Sequence, residues 1–331
     1  MIKYITTRTP LRVSFVGGGT DFYDYYKYNG GQVISGAIDR YVYVTVKRHS
    51  DLYKEKFRLN YSITETASKI DNIKNEITRA CLKLLKINFP IYISTISDIP
   101  ISSGLGSSSA FTVGLLTALH ALKGDQIKKN KIAEEACKVE INILRKPIGK
   151  QDQYAVTFGS INRILFKKNN TVTVKKINLS KQKTKFLSNH MYLVWTGYTR
   201  NSSSILKEQK KRTKKNISHL NQIKDLVTKF SKNLNKKKIN IDTLSEILNL
   251  NWSLKKTLSS KILNRSMENI YLKLENSKAS GIKLLGAGGG GFYLAIVKKK
   301  DKSFFLRKMR KYKIYNFKFD EVGVRKLYND E

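Results

Sequence analysis

The chain has 331 residues, long enough for two domains, and 40% of them are hydrophobic, which excludes global disorder. Its 63 basic and 25 acidic residues give a formal charge of +38. The lysines are spread along the chain, densest over 207–238, without zinc-finger spacing or an aromatic RNA-binding signature. A diffuse basic surface that attracts phosphorylated small molecules therefore fits better than nucleic-acid binding. Two unpaired cysteines, Cys81 and Cys137, exclude a disulfide framework and fit a reducing compartment. No apolar run reaches the roughly 20 residues of a membrane helix, and no signal-peptide core opens the chain. The expectation is a cytoplasmic protein without a membrane partner.

Taken in order, alternating Leu11, Val13 and Phe15 predict a strand that ends in Gly17, Gly18 and Gly19. The glycines allow close backbone approach, and Asp21 at the exit either accepts ligand hydroxyls or caps the helix 22–28. Arg12 lies in this strand, where an inward charge needs a partner. Residues 32–48 predict a central strand, 57–61 another, 75–85 a helix and 90–96 a further strand.

Ile99 to Ala110 follows, reading Ile-Pro-Ile-Ser-Ser-Gly-Leu-Gly-Ser-Ser-Ser-Ala. A loop rich in glycine and serine thus joins a strand to a helix start over 110–122. Gly104 and Gly106 permit tight turns, and the first helical turn offers free N–H groups to an anion. Ser102, Ser103, Leu105, Ser107, Ser108 and Ser109 complete the candidate phosphate cradle. It is neither a Walker A loop, since no lysine follows the glycines, nor a dinucleotide fingerprint. Taken alone, it also fits a plain serine-capped helix.

A second helix, 127–144, carries Glu140 and ends at Pro147 and Gly149, after which Asp152 opens another helix. Residues 160–166 and 171–177 predict a hairpin around Asn169 and Asn170. The lysine-rich stretch 180–185 is the expected boundary between an N-terminal unit, 1–182, and a C-terminal unit, 183–331. Beyond it come a strand over 191–195, long helices over 202–235 and 241–258, a helix over 266–276, and two short strands flanking Gly286 to Gly291. A helix over 303–311 and a last strand over 314–319 close the pattern. A flexible linker does not sit between two short apolar strands, so the glycine run marks a backbone crowded against something bulky. The overall pattern is α+β.

Four features stand together in this order: the glycine turn with Asp21, the serine loop, Glu140 twelve residues before Asp152, and the glycine run. With Pro100 to Ala110 matching Pro-x-x-x-Gly-Leu-Gly-Ser-Ser-x-Ala, and Lys283 opening Lys-Leu-Leu-Gly-Ala-Gly-Gly-Gly-Gly, the chain resembles the GHMP kinases over nearly its whole length. That resemblance implies an N-terminal domain like the second domain of ribosomal protein S5 and a ferredoxin-like C-terminal domain, with ATP and Mg²⁺ bound in the cleft between them. It implies that Ser108 and Glu140 hold the metal, that Asp152 is the catalytic carboxylate with Arg12 beside it, and that Asp21 binds a sugar. Galactokinases carry an acidic residue and a histidine where Gly18 and Gly19 stand, which disfavours galactose.

The stretches 12–21, 37–46, 147–154 and 196–200 look like the heptose-phosphate kinase branch of the family. That likeness implies transfer to the anomeric hydroxyl of a heptose 7-phosphate, on the way to a GDP-activated heptose for surface polysaccharide. A phosphorylated substrate needs cations. Lys150 and Arg200 are the candidates, with Thr196, Gly197, Gly288 and Gly289 beside them. A kinase for a free sugar such as L-fucose, or a non-catalytic regulator of the same fold, is the alternative. A homodimer is compatible with the family.

Overall fold

The computed structural model describes residues 4–199 and 203–330. Twelve strands form two sheets: β1 (Tyr4–Val16), β2 (Gly31–Arg48), β3 (Phe57–Asn60), β4 (Thr64–Ala67), β5 (Ile91–Ser97), β6 (Ile161–Phe166), β7 (Val172–Lys176), β8 (Met191–Trp195), β9 (Gly281–Leu284), β10 (Phe292–Ile296), β11 (Ile314–Tyr315) and β12 (Arg325–Asp330). The first sheet runs β12-β1-β2-β5-β3-β4, with the β6–β7 hairpin also attached to β2. β2 is long enough to serve two neighbours. Its Gly31–Gly36 half pairs with β6 and its Val42–Arg48 half with β5. Both of its faces are covered along the first half, which explains a hydrophobic pattern without simple alternation.

The Ser107–Lys123 helix packs on β1 and β2 and is buried along most of its length, so its side chains are small or apolar on nearly every face. The second sheet is antiparallel in the order β11-β8-β10-β9. The chain visits it as strand, helices, two adjacent strands, helix, strand, the ferredoxin-like arrangement that the resemblance implies.

The two units are not independent. Phe15 of β1 stacks on Phe230 of the Ile217–Asn235 helix at 5.4 Å between centroids. Val16, Val227, Phe230 and Leu244 share one continuous core. Lys283 of β9, fully buried, donates to the carbonyls of Ser14 and Phe15 at 2.7 and 2.6 Å. Burial and the neighbouring cations Lys255 and Arg12 depress its pKa well below that of a free lysine. The cleft walls are therefore fixed by shared packing.

Several elements differ from the sequence reading. The expected last strand, 314–319, is only the two-residue β11, and the chain then returns to the first sheet, where β12 pairs with β1. Residues 183–331 are thus not confined to the second unit. The expected boundary stretch is the first turn of a helix, Lys181–His190, whose N–H at Lys183 is capped by Ser180 and whose Leu187 is buried. The helix expected over 127–144 is α-helical over Lys129–Cys137 and π-helical over Lys138–Ile143. The long helix expected over 202–235 is two helices, Ser203–Lys211 and Ile217–Asn235. Among the described residues, no helix is long and apolar enough to cross a membrane.

Candidate active site

A cleft of about 990 Å³ lies between the two units. The serine loop, the glycine turn, the start of the Gln151–Phe158 helix and the glycine run all line it. Gly18, Gly19, Asp21 and Phe22 of the glycine turn line it, as do Thr95 of β5, Tyr61 just after β3, Ile77 of the Glu76–Leu84 helix and Phe111 of the Ser107–Lys123 helix.

Gly104 and Gly106 have φ of +83° and +80°, a conformation glycine adopts without steric cost. The Ser107–Lys123 helix starts directly after them without a side-chain cap, whereas Asn75, Asn240 and Asn264 cap the helices that follow them. The first intrahelical N–H donor is Ala110, bonded to Gly106. The amides of Ser107, Ser108 and Ser109 thus remain available at the positive end of a helix dipole, beside the cleft.

The glycine run explains itself at this loop. A Cβ on Gly104 would stand 2.9 Å from the Leu285 carbonyl oxygen, and one on Gly291 would collide with the Ser103 carbonyl. The second unit therefore lies backbone against backbone on the serine loop, as the crowding argument predicted.

Arg12 and Asp152 form a two-pronged pair. Nε donates to Oδ1 and Nη2 to Oδ2, both at 2.7 Å. The third prong, Nη1, donates to the Gly104 carbonyl at 2.6 Å, and the Arg12 amide donates to the Leu105 carbonyl at 2.9 Å. A rigid guanidinium fork suits this double duty, and a lysine could not reproduce it. Arg12 is 3% exposed while the carboxylate of Asp152 is 24% exposed, so the pair presents its acidic end to the cleft.

Glu140 is completely buried, and burial pushes its pKa up against the opposing hydrogen bonds. Ser108 Oγ donates to its Oε1 at 2.6 Å; Ser109 Oγ and Gln153 Nε2 donate to its Oε2, each at 2.7 Å. The π-helical turn over Lys138–Ile143 brings it there. A buried carboxylate with hydrogen-bond donors but no directly paired cation, touching a half-exposed serine hydroxyl, fits a divalent ion beside Ser108. Among the described residues, no cluster of three or more His, Cys, Asp or Glu could hold a metal.

Asp21 lines the cleft, yet both its oxygens are engaged by the backbone. Gly19 donates to Oδ1 at 2.9 Å and Gln151 to Oδ2 at 3.2 Å. Burial raises its pKa. Asp21 thereby locks the glycine turn onto the helix that carries Asp152, and neither the helix cap nor the free carboxylate anticipated from sequence describes it fully.

The structure does not gather every candidate. The Lys150 ammonium turns to Asn170 Oδ1 at 2.6 Å, over the β6–β7 turn and away from the residues lining the cleft. Thr196 Oγ1 donates to the Gly291 carbonyl at 2.8 Å, so it holds the glycine run. Gly197, Gly289, Gly17, Ser103 and Leu105 do not line the cleft. The Gly17 amide binds Asn251 Oδ1, the Gly289 amide binds the Ile262 carbonyl, and Leu105 sits in the core. Ser102 and Gly288 do line it. Arg200 lies outside the described residues.

Gln209 and Lys255 are among the cleft residues that the sequence reading did not single out. Gln209 is 8% exposed, and its Nε2 has no partner. Lys255 is 7% exposed, on the Ile241–Lys256 helix. A signal for it existed: Leu244, Ile247, Leu248, Asn251, Trp252 and Lys255 follow helical spacing and are all buried, which places a lysine on the inner face.

Residues 75–160 match the pattern described as "GHMP kinases N terminal domain", and residues 230–314 match "GHMP kinases C terminal". The D-glycero-alpha-D-manno-heptose 7-phosphate kinase of Campylobacter jejuni is 30% identical over 338 residues, covering 98% of this chain and 99% of its own. A Pyrococcus furiosus galactokinase is 26% identical over 89% of each chain. The crystal structure of a D-glycero-D-manno-heptose 1-phosphate kinase from Bacteroides thetaiotaomicron superposes with a TM-score of 0.81 at 20% identity, covering 99% of this chain and 100% of that one. With a serine loop ahead of a helix start, a buried glutamate behind it and an arginine-gripped aspartate facing the cleft, this chain belongs to the GHMP kinase family and is an ATP-dependent kinase.

Proposed function

We propose that the protein transfers the γ-phosphoryl group of ATP to the anomeric hydroxyl of D-glycero-D-manno-heptose 7-phosphate, giving the 1,7-bisphosphate. The observation that carries a hydroxyl acceptor is the Arg12–Asp152 pair, whose carboxylate faces the cleft directly beside Gly106 of the serine loop. The sugar identity draws support from the likeness to the Campylobacter jejuni enzyme over the full chain.

In this reading the triphosphate lies along the free amides at the start of the Ser107–Lys123 helix. The face bearing Tyr61, Ile77 and Phe111 supplies apolar surface for the adenine. Ser108 and Glu140 would hold Mg²⁺, which would supply neutralisation of phosphate charge. The sugar enters beside the glycine turn. As its hydroxyl oxygen bonds to phosphorus and the bond to ADP breaks, Asp152 takes the hydroxyl proton. Arg12 fixes the orientation of that carboxylate and ties it to the loop through Gly104.

A coupled ADP assay with heptose 7-phosphate, the unphosphorylated heptose and L-fucose tests the proposal. Turnover with the phosphorylated heptose alone supports it; turnover with a free sugar retains the kinase and discards the substrate. The free-sugar reading has one observation in its favour: the Lys150 ammonium is directed to Asn170 and does not offer a cation to a 7-phosphate.

A further inference from the structure

A lysine ammonium carries three donors. The Lys255 ammonium has one protein acceptor in this structure, the Gly286 carbonyl. It is nevertheless buried, and it lines the cleft together with Arg12, Asp152 and the phosphate loop. A buried cation with donors to spare is unfavourable unless something charged completes it. Its surroundings do not supply that. Arg12 repels it, and the third cation, Lys283, stands close enough for mutual repulsion. Asp152 is already gripped through both oxygens by Arg12, and Asp21 through both oxygens by backbone amides.

We propose that Lys255 is a phosphoryl-binding residue: from the Gly286 carbonyl at the rim of the phosphate loop it donates to a phosphate oxyanion lying beside the Arg12–Asp152 pair. This rests on the kinase reading above and deepens it, because the cation for an anionic ligand then comes from the second unit and from a residue fixed by the glycine run. The oxyanion belongs either to the phosphoryl group in transfer or to the phosphate an acceptor already carries.

Burial, and then repulsion by Arg12, pull the Lys255 pKa down to about 8, against attraction from Asp21 and Asp152. An arriving oxyanion favours the charged form, so binding is coupled to proton uptake at alkaline pH. The groups facing it are Arg12 on β1, Asp21 in the glycine turn, Asp152 on the Gln151–Phe158 helix and Lys283 on β9.

The test compares wild type with Lys255→Met and Lys255→Arg, each first checked for a cooperative thermal transition. Methionine keeps the stem volume, and arginine keeps the charge should methionine fail to fold. Calorimetry with Mg²⁺ and a non-hydrolysable ATP analogue, and separately with mannose 6-phosphate, is run at pH 8.5 in buffers of different ionisation enthalpy. The proposal expects proton uptake by wild type with at least one probe, lost in Lys255→Met, with that probe bound about 10–100-fold more weakly. Loss with the nucleotide analogue assigns the oxyanion to the transferring group; loss with the sugar phosphate assigns it to the acceptor. Unchanged affinity and unchanged proton uptake with both probes in either variant overturns the proposal. This readout needs no turnover. Failure of the kinase reading would instead appear as an inactive wild type in the coupled assay.

Discussion

Arg12 holds Asp152 by both carboxylate oxygens and, with its remaining nitrogen, holds the carbonyl of Gly104. One side chain thus joins the candidate base to the phosphate loop. Asp152→Asn removes the proton acceptor but keeps the side-chain volume, and kcat should fall by about 10²–10⁴ with nucleotide affinity nearly intact. Arg12→Lys keeps the charge but loses the fork, so it should also lower kcat, leaving charge-dependent binding largely in place. Steady-state kinetics with a direct nucleotide-binding titration separates the two effects.

Glu140→Gln and Ser108→Ala bear on the metal. Glutamine removes the buried charge that balances a divalent ion, while alanine removes the hydroxyl that touches both Glu140 and the cleft. Both variants should need about 10-fold or more extra Mg²⁺ for half-maximal rate. A Mg²⁺ titration at saturating ATP that gives wild-type curves for both would reject these two residues as ligands.

The glycine run is under steric demand at some positions and open at others. Gly291 has φ of +96° and would drive a Cβ into the Ser103 carbonyl, so Gly291→Ala should cost about 2 kcal/mol or more and weaken nucleotide binding. Gly197 has φ of +84° but open space around it, so Gly197→Ala should cost only the left-handed backbone penalty, about 1 kcal/mol. Urea denaturation of the two variants reads the difference.

Away from the cleft, His120 sits between Asp125 and Glu135, with Nδ1 2.8 Å from one carboxylate and Nε2 2.7 Å from the other. Burial alone would lower its pKa; the hydrogen bonds to Glu135 and Asp125 outweigh it, and the pKa is raised above 6.5. A base whose folded pKa is raised contributes stability that is fully present below its unfolded pKa and lost as pH rises through the folded one. Wild type should therefore lose stability from about pH 6.5 upward over a range that His120→Gln does not share, read as the difference between their denaturation midpoints across pH.

Much of the site was legible in the sequence because it is made of backbone. A strand followed by glycines, serines and an apolar helix has few folded outcomes, and Gly104, Gly106 and the uncapped helix start behave as their spacing predicts. Arg12 was marked as a charge inside an apolar strand, where a buried charge requires a partner, whereas Glu140 and Asp152 were singled out by the resemblance and their spacing. The pairing partner of each was not legible: Arg12 and Asp152 stand 140 positions apart, and the π-helical turn that aims Glu140 has no composition of its own. Lys150 and Lys255 show the limit most clearly. Both read as lysines near functional motifs or helix ends, yet one turns out to the β6–β7 hairpin and the other into the cleft.

By itself the sequence determined the α+β class and the glycine- and serine-rich loop between a strand and a helix, which follow from local rules of periodicity and backbone freedom. The family, and with it the roles expected of Ser108, Glu140 and Asp152, came from the resemblance its motifs carry in their order. Only the tertiary structure decided that β12 returns to β1, that Asp21 is spent on backbone amides, and that Lys255 supplies a buried cation to the cleft. Each of these depends on contacts between residues distant in the chain, where the direction of a side chain is set by which surfaces pack together.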